Sequence, residues 1–206
     1  MREGLLWDLI GRAGGSDPRT ASIDALANRY GVDRAQARRV ESTALMLFDQ
    51  VAATWKLDAE AREWLSWAAR VHEIGLAIAH SQHHHHGAYI LRNADLAGFS
   101  KQEQHLLAAI IQAHRRKPDK TSFASLPQRY RQLARHITAL LRLAVLFRRA
   151  RRAESLPPLH LAASSQRLTL QLPADWLEQH PLSQADLEQE ITPMTELGLA
   201  LSLSAQ

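Results

Sequence analysis

The sequence predicts a mainly α protein, a helical bundle followed by a small α+β appendage. Three observations predict it. Apolar residues recur at three- and four-residue spacing as far as Phe147, capping residues stand directly before several of those runs, and the period changes from helical to alternating after Pro157-Pro158. Taken together they divide the chain into a connector helix and linker over residues 1–18, an all-helical domain over 19–156 and a small α+β subdomain over 157–206.

Glu3 to Arg12 reads as a short connector helix ending at Gly14-Gly15, with Asp17-Pro18 forming a turn before Thr20. Ile23, Leu26, Ala27 and Tyr30 then repeat at helical spacing and stop at Gly31. Asp33 can cap a longer helix carrying Ala37, Val40, Leu45, Leu47, Phe48 and Val51. Asp58 can cap the next, whose apolar side holds Leu65, Trp67, Ala68, Val71 and Ile74 and which delivers His72 and Glu73. After Gly87 a helix continues through Ala88-Tyr89-Ile90-Leu91 to Asn93, and Gly98 marks a loop. Ser100 with Glu103 forms a capping box that opens a helix through Leu106, Leu107, Ile110 and Ile111, ending near His114 with Pro118 beyond it. From Gln128 the central helix runs through Leu133, Ile137, Leu140, Leu141, Leu143, Leu146 and Phe147. Leu159-His160-Leu161 and Leu168 to Leu172 alternate as half-buried strands do, Asp175 to Gln179 and Ser183 to Ile191 read as helices, and Leu199, Leu201 and Leu203 form a last strand.

The composition, 206 residues with 46% hydrophobic and 22% charged, suits a globular chain with a real core. No apolar stretch approaches the ~20 residues of a membrane span and no secretory leader is seen, so the expected compartment is the cytoplasm. With no cysteine, any metal would need His and carboxylate ligands. The formal charge is +4, and the cations are mostly arginine, whose planar fork suits phosphate oxygens. They gather at Arg115-Arg116-Lys117 and at Arg148-Arg149 with Arg151-Arg152.

Between these lies a histidine-rich stretch: His72-Glu73-Ile74-Gly75, then His80, then His83 to His86, followed later by His114. Imidazoles and guanidinium groups at these spacings can converge on one anion, and His80 and His84 would share a face if the segment is helical. A polyanion beside them would favour their protonated form. A plainer reading makes His72 a hydrogen-bonded core residue and His114 to Lys117 a set of cations offsetting a helix dipole. The second basic cluster reads as a solvated helix end, and the four-histidine run as a place where nickel or zinc could bind adventitiously. Arg142 interrupts an apolar series, which predicts a carboxylate partner such as Glu41 or Glu73, or an anion. Trp7, Trp55, Trp64, Trp67 and Trp176 read as packing residues.

The strings Leu26-Ala27-Asn28-Arg29-Tyr30-Gly31-Val32-Asp33, Gln36-Ala37-Arg38-Arg39-Val40, His72-Glu73-Ile74-Gly75, His80-Ser81, Ala88-Tyr89-Ile90-Leu91, His114-Arg115-Arg116 and Leu140-Leu141-Arg142-Leu143-Ala144 occur in this order. In that order they resemble the C-terminal half of bacterial exopolyphosphatases and guanosine pentaphosphate phosphohydrolases, exopolyphosphatases more closely. Arg2-Glu3-Gly4 resembles the hinge that leaves that family's N-terminal half. The resemblance implies a parent with an actin-like catalytic half, dependent on Mg2+, followed by a helical domain similar to HD phosphohydrolases. It also implies a homodimer and processive release of terminal phosphate from inorganic polyphosphate. No catalytic residue and no cofactor are expected in these residues.

An active HD site needs a histidine, a His-Asp pair and a distant aspartate around a divalent metal. Set against that pattern, this sequence has Glu41, His72-Glu73 and Val145, and valine cannot bind metal. The expected role is therefore polyphosphate binding, with His80, His84, His86, His114, Arg115, Arg116, Lys117 and Arg142 as the lane. A degenerate metal-dependent HD hydrolase, or the matching region of a pentaphosphatase, is the second reading. A helix-turn-helix over Ile23 to Arg39 is the third, against which stands the long apolar second helix of a simple packed pair, so DNA is not the expected partner. A module that only dimerises is a fourth.

Overall fold

The computed structural model describes residues 17–119 and 121–205. The helix expected at Glu3 to Arg12, with Trp7, lies outside the described residues. Six helices and a short 3-10 turn build the first layer: α1 (Pro18–Arg29), α2 (Arg34–Trp55), α3 (Ala59–Val71), the turn Ile74–Ala77, α4 (His83–Asn93), α5 (Lys101–Ala113) and α6 (Gln128–Phe147). The remainder is β1 (His160–Ala163), β2 (Arg167–Leu172), α7 (Ala174–Gln179), α8 (Pro181–Glu196) and β3 (Ala200–Ala205). A mainly α chain with a small α+β appendage is what the alternation of periods predicts.

The helix starts follow from side-chain capping. Asp33 accepts from the Gln36 N–H at 3.0 Å, Asp58 from Ala61 at 2.8 Å, and Ser100 and Glu103 close a reciprocal capping box. Asp17 does the same for Arg19 at 2.8 Å with Pro18 at the first helical position, so the expected turn before Thr20 is instead the first turn of α1. α4 begins without such a signal, behind Gln82 at φ 52° and with no side-chain cap. α8 runs past its expected end at Ile191, because Pro193 stands in the last turn and removes one donor without breaking the helix.

α2 packs on α3 and α6, and α4 on α5. Trp64, Leu65, Trp67, Leu106, Leu107, Ile110 and Ile111 are fully buried between them. Each fully buried Leu or Ile contributes ~1.5–3 kcal/mol, which is what holds these helices against their loss of chain entropy. Trp64, Trp67 and Phe99 meet edge to face with centroids 5.1–5.9 Å apart, and the Trp67 indole donates to Thr20 Oγ1 at 2.9 Å.

In the appendage β2 is central, antiparallel to β1 with Leu161 opposite Leu170, and parallel to β3 with Leu168 opposite Leu201. The parallel pairing requires a crossover, and α7 and α8 supply it. Leu161, Leu168, Leu170, Leu187 and Met194 join the same hydrophobic cluster as the helical layer. Two polar ties reinforce the seam: Trp55 Nε1 donates to the Ser164 carbonyl at 2.7 Å and the Leu161 N–H to Gln50 Oε1 at 2.8 Å.

Candidate anion-binding site

Two glycines bring the histidines together. A Cβ on Gly75 would lie 1.9 Å from the His83 carbonyl oxygen, so the 3-10 turn after His72 presses backbone to backbone against the start of α4. A Cβ on Gly87 would lie 3.0 Å from Ile111 Cγ2, so α4 in turn seats closely on α5. The result is a chain of rings at similar spacing: His80 to His83 at 6.2 Å, His83 to His84 at 6.2 Å, His83 to His114 at 6.1 Å and His114 to His72 at 6.0 Å.

His72 and His114 occupy the C-caps of α3 and α5, and each gives its Nδ1 proton to a carbonyl three residues back, Ala69 at 2.7 Å and Ile111 at 2.5 Å. They satisfy orphan carbonyls of helix ends, which is the packing role that an apolar face predicts for His72. Burial pushes His72 down and His114 well down from the ordinary imidazole range, and His72 adds to the effect on His114. His114 therefore caps α5 as a neutral donor and not, as expected, by positive charge.

His84 is also interior, and burial followed by the charge of its neighbours pushes it down to about 4. His80 precedes α4 and is exposed, so the two do not share a helical face; the helix starts between them. His86 is half-buried one turn after His83. Nδ1 of His84 and Nε2 of His114 have no hydrogen-bond partner among the described residues.

Cationic groups surround this stack. Arg115 Nη1 lies 2.9 Å from His83 Nδ1, which places its guanidinium against a neutral ring instead of a carboxylate. Burial, then Arg116 and Arg149, lower the Arg115 guanidinium below its usual value. Arg116 is exposed at φ 61° and makes no hydrogen bond or ion pair among the described residues. Lys117 reaches Glu196 at 3.0 Å. Arg142 is corrected on two counts: its partner is Glu190 of α8, neither Glu41 nor Glu73, and with a donation to the Ala113 carbonyl at 2.7 Å it is interior, not part of an accessible lane.

The second basic cluster is not a free helix end. Arg148 donates to Thr43 Oγ1 at 2.9 Å and the Glu154 carbonyl at 2.8 Å, Arg149 pairs with Asp186 at 2.6 Å, and Arg151, at φ 56°, bridges Asp33 at 3.0 Å and Glu73 at 2.5 Å. Arg149 and Arg151 thus pair with carboxylates remote in the chain, whereas Arg152 reaches Glu154, two residues on, at 3.5 Å.

The positions of an HD metal site do not fit a metal here. Glu41 accepts from Ser66 Oγ at 2.6 Å and Arg70 Nε at 2.9 Å, Glu73 is held by Arg151, His72 spends Nδ1 on Ala69, and Val145 packs against the core. Among the described residues no three His, Asp or Glu side chains gather around one point. His83, Arg149 and Glu190 are the participants that sequence reasoning missed. For His83 a signal existed, since it stands four residues before Gly87 and so shares the closely packed face of α4.

The sequence that builds this layer matches a known family. Residues 19–191 match the description "Ppx/GppA phosphatase, domain III", and the chain belongs to the Ppx/GppA phosphatase family. Its sequence is 37% identical over 202 residues to the protein named guanosine-5'-triphosphate,3'-diphosphate pyrophosphatase of Pseudoalteromonas translucida. That alignment covers 98% of this chain and 40% of the relative, so the chain spans less than half the length of the relative it matches.

Proposed function

We propose that this chain is the C-terminal, non-catalytic polyphosphate-binding and dimerisation region of a phosphoanhydride hydrolase, an exopolyphosphatase that releases terminal phosphate processively. Its catalytic partner is an N-terminal actin-like half of the same parent, where the Mg2+ of the reaction belongs. The observation that carries the reading is Arg115: it faces a neutral His83 ring and makes no ion pair among the described residues, with Arg116 and Arg149 adding positive charge that Glu73 offsets only in part. A cluster in which Arg115 and Arg116 are left without ion pairs favours an anion of several charges, and linked phosphates meet it with many charge-assisted contacts at once. Arg115 and Arg116 form the centre of the lane, with His80, His86 and Lys117 at its margins, while His84, His114 and Arg142 support it from the interior.

A second reading rests on the name of the relative: guanosine 5'-triphosphate 3'-diphosphate also presents consecutive phosphates to the same cations. Titrating the chain with polyphosphate at several salt concentrations tests the first reading, and competition with the guanosine compound separates the two. Polyphosphate is expected to bind with strong salt dependence, and Arg115→Ala with Arg116→Ala to weaken it about tenfold or more. Unchanged affinity in the double variant removes the proposal. Sedimentation of the chain reads dimerisation separately.

A further inference from the structure

The end of α2, the start of α3 and the first turns of α6 enclose a cleft of about 570 Å³, built from residues outside the anion-binding site. Trp55, Trp64, Tyr130 and His136 contribute its aromatic wall, and Lys56 and Arg129 stand among its lining. A cleft of this size with aromatic walls and a few polar groups suits a small organic molecule.

Two polar side chains of this wall make no hydrogen bond among the described residues, and of their polar atoms the Trp64 N–H is the one sealed from water. His136 is 3% exposed and lies flat on Trp55, with centroids 4.0 Å apart and planes 6° from parallel. Unlike His72 and His114, it gives no proton to a carbonyl of its own helix, and neither ring nitrogen has a hydrogen bond among the described residues. The Trp64 indole N–H, on a residue with 0% exposure, is likewise unpaired. An N–H so deeply placed is nearly always satisfied, and with the unpaired ring nitrogens of His136 on the same cleft it suits a ligand with both an acceptor and a donor. Burial pushes His136 down to about 4, so at neutral pH its ring offers one donor and one acceptor.

Charge at the cleft is unevenly used. Asp58 is occupied in capping α3 and Glu60 reaches Arg19 at 3.5 Å. Arg129 lies over the Tyr130 ring at 4.7 Å and donates to the neutral Gln102 amide at 2.8 Å, and Lys56 has no ion pair among the described residues. The cations are the uncommitted groups.

We propose that this cleft binds a planar nitrogen heterocycle carrying a phosphate or carboxylate arm, with the ring against Trp55, Tyr130 and His136, its nitrogens paired with His136 and Trp64, and the arm at Lys56 and Arg129. The assignment is independent of the polyphosphate reading and uses none of its residues. It is tested by recording the indole N–H signals of the 15N-labelled chain during titration with adenosine 5'-monophosphate, with nicotinate and with ribose 5-phosphate. Trp64→Phe identifies the Trp64 signal. The expected result is a saturable shift of that signal with adenosine monophosphate or nicotinate, its loss in His136→Phe, which keeps the stack on Trp55, and binding about threefold weaker in Lys56→Gln. No saturable shift with either heterocycle overturns the proposal. So does an equal shift with ribose 5-phosphate, a shift retained in His136→Phe, or unaltered affinity in the exposed Lys56→Gln variant.

Discussion

Arg142 in the C-terminal third of α6 pairs with Glu190 of α8, forty-eight residues later, and both side chains are largely removed from water, at 3% and 14% exposure. The ion pair therefore joins the helical layer to the crossover of the sheet. Removing one member of such a pair strands the other. Glu190→Ala is expected to cost about 3 kcal/mol in urea unfolding, and adding Arg142→Met to that variant to restore part of the loss. If the single change costs under ~1 kcal/mol, the pair is not a tie between the two layers.

Gly75 and Gly31 make a contrasting pair. Alanine at Gly75 collides with the backbone of α4 and is expected to destabilise by more than ~4 kcal/mol, or to prevent folding. Alanine at Gly31, where φ is 63° and open space surrounds the Cβ, is expected to cost only about 1 kcal/mol. Thermal and chemical unfolding of the two variants gives the comparison directly.

Acid should weaken the fold. His72, His83, His84, His114 and His136 all have imidazoles held below their ordinary value, chiefly by burial, with His84 and His136 at about 4. Between the unfolded value near 6.5 and those folded values the unfolded chain binds protons that the folded chain does not. Stability is thus complete above about pH 6.5 and falls as pH drops toward 4, each such group steepening the slope by up to ~1.4 kcal/mol per pH unit. Denaturation midpoints measured from pH 7.5 to 4.5 should show this fall, and His84→Gln should lessen it. A midpoint that rises on acidification contradicts the account.

At Arg116 stability and binding should separate. The residue is exposed and left-handed, so Arg116→Gly relieves backbone strain and is expected to raise stability by about 0.5 kcal/mol while weakening polyphosphate binding. Parallel unfolding and titration curves on one preparation decide it.

Local chemistry was legible, and remote pairing was not. Asp33, Asp58 and the Ser100–Glu103 box announced three helices because capping is encoded within four residues. Gln82 offers no such code for the start of α4, and because the helix begins at His83 the condition under which His80 and His84 share a face is not met. The second basic cluster is largely exposed, as a solvated helix end predicts, but its partners Asp33, Glu73 and Asp186 lie too far away in sequence to be read from it. The same distance hid Glu190 from Arg142. For the anion-binding layer, the residue types and their order were readable, whereas the division between interior neutral rings and outward guanidinium groups depended on how closely two glycines let the helices approach.

The tie between α6 and α8 also has a consequence for biosynthesis. Chain leaves the ribosome N-terminus first, so the guanidinium of Arg142 emerges well before the carboxylate that neutralises it. A nascent polypeptide stalled before α8 would carry that cation in its interior without a counterion, and the bundle would reach its final cohesion only once α8 had been translated.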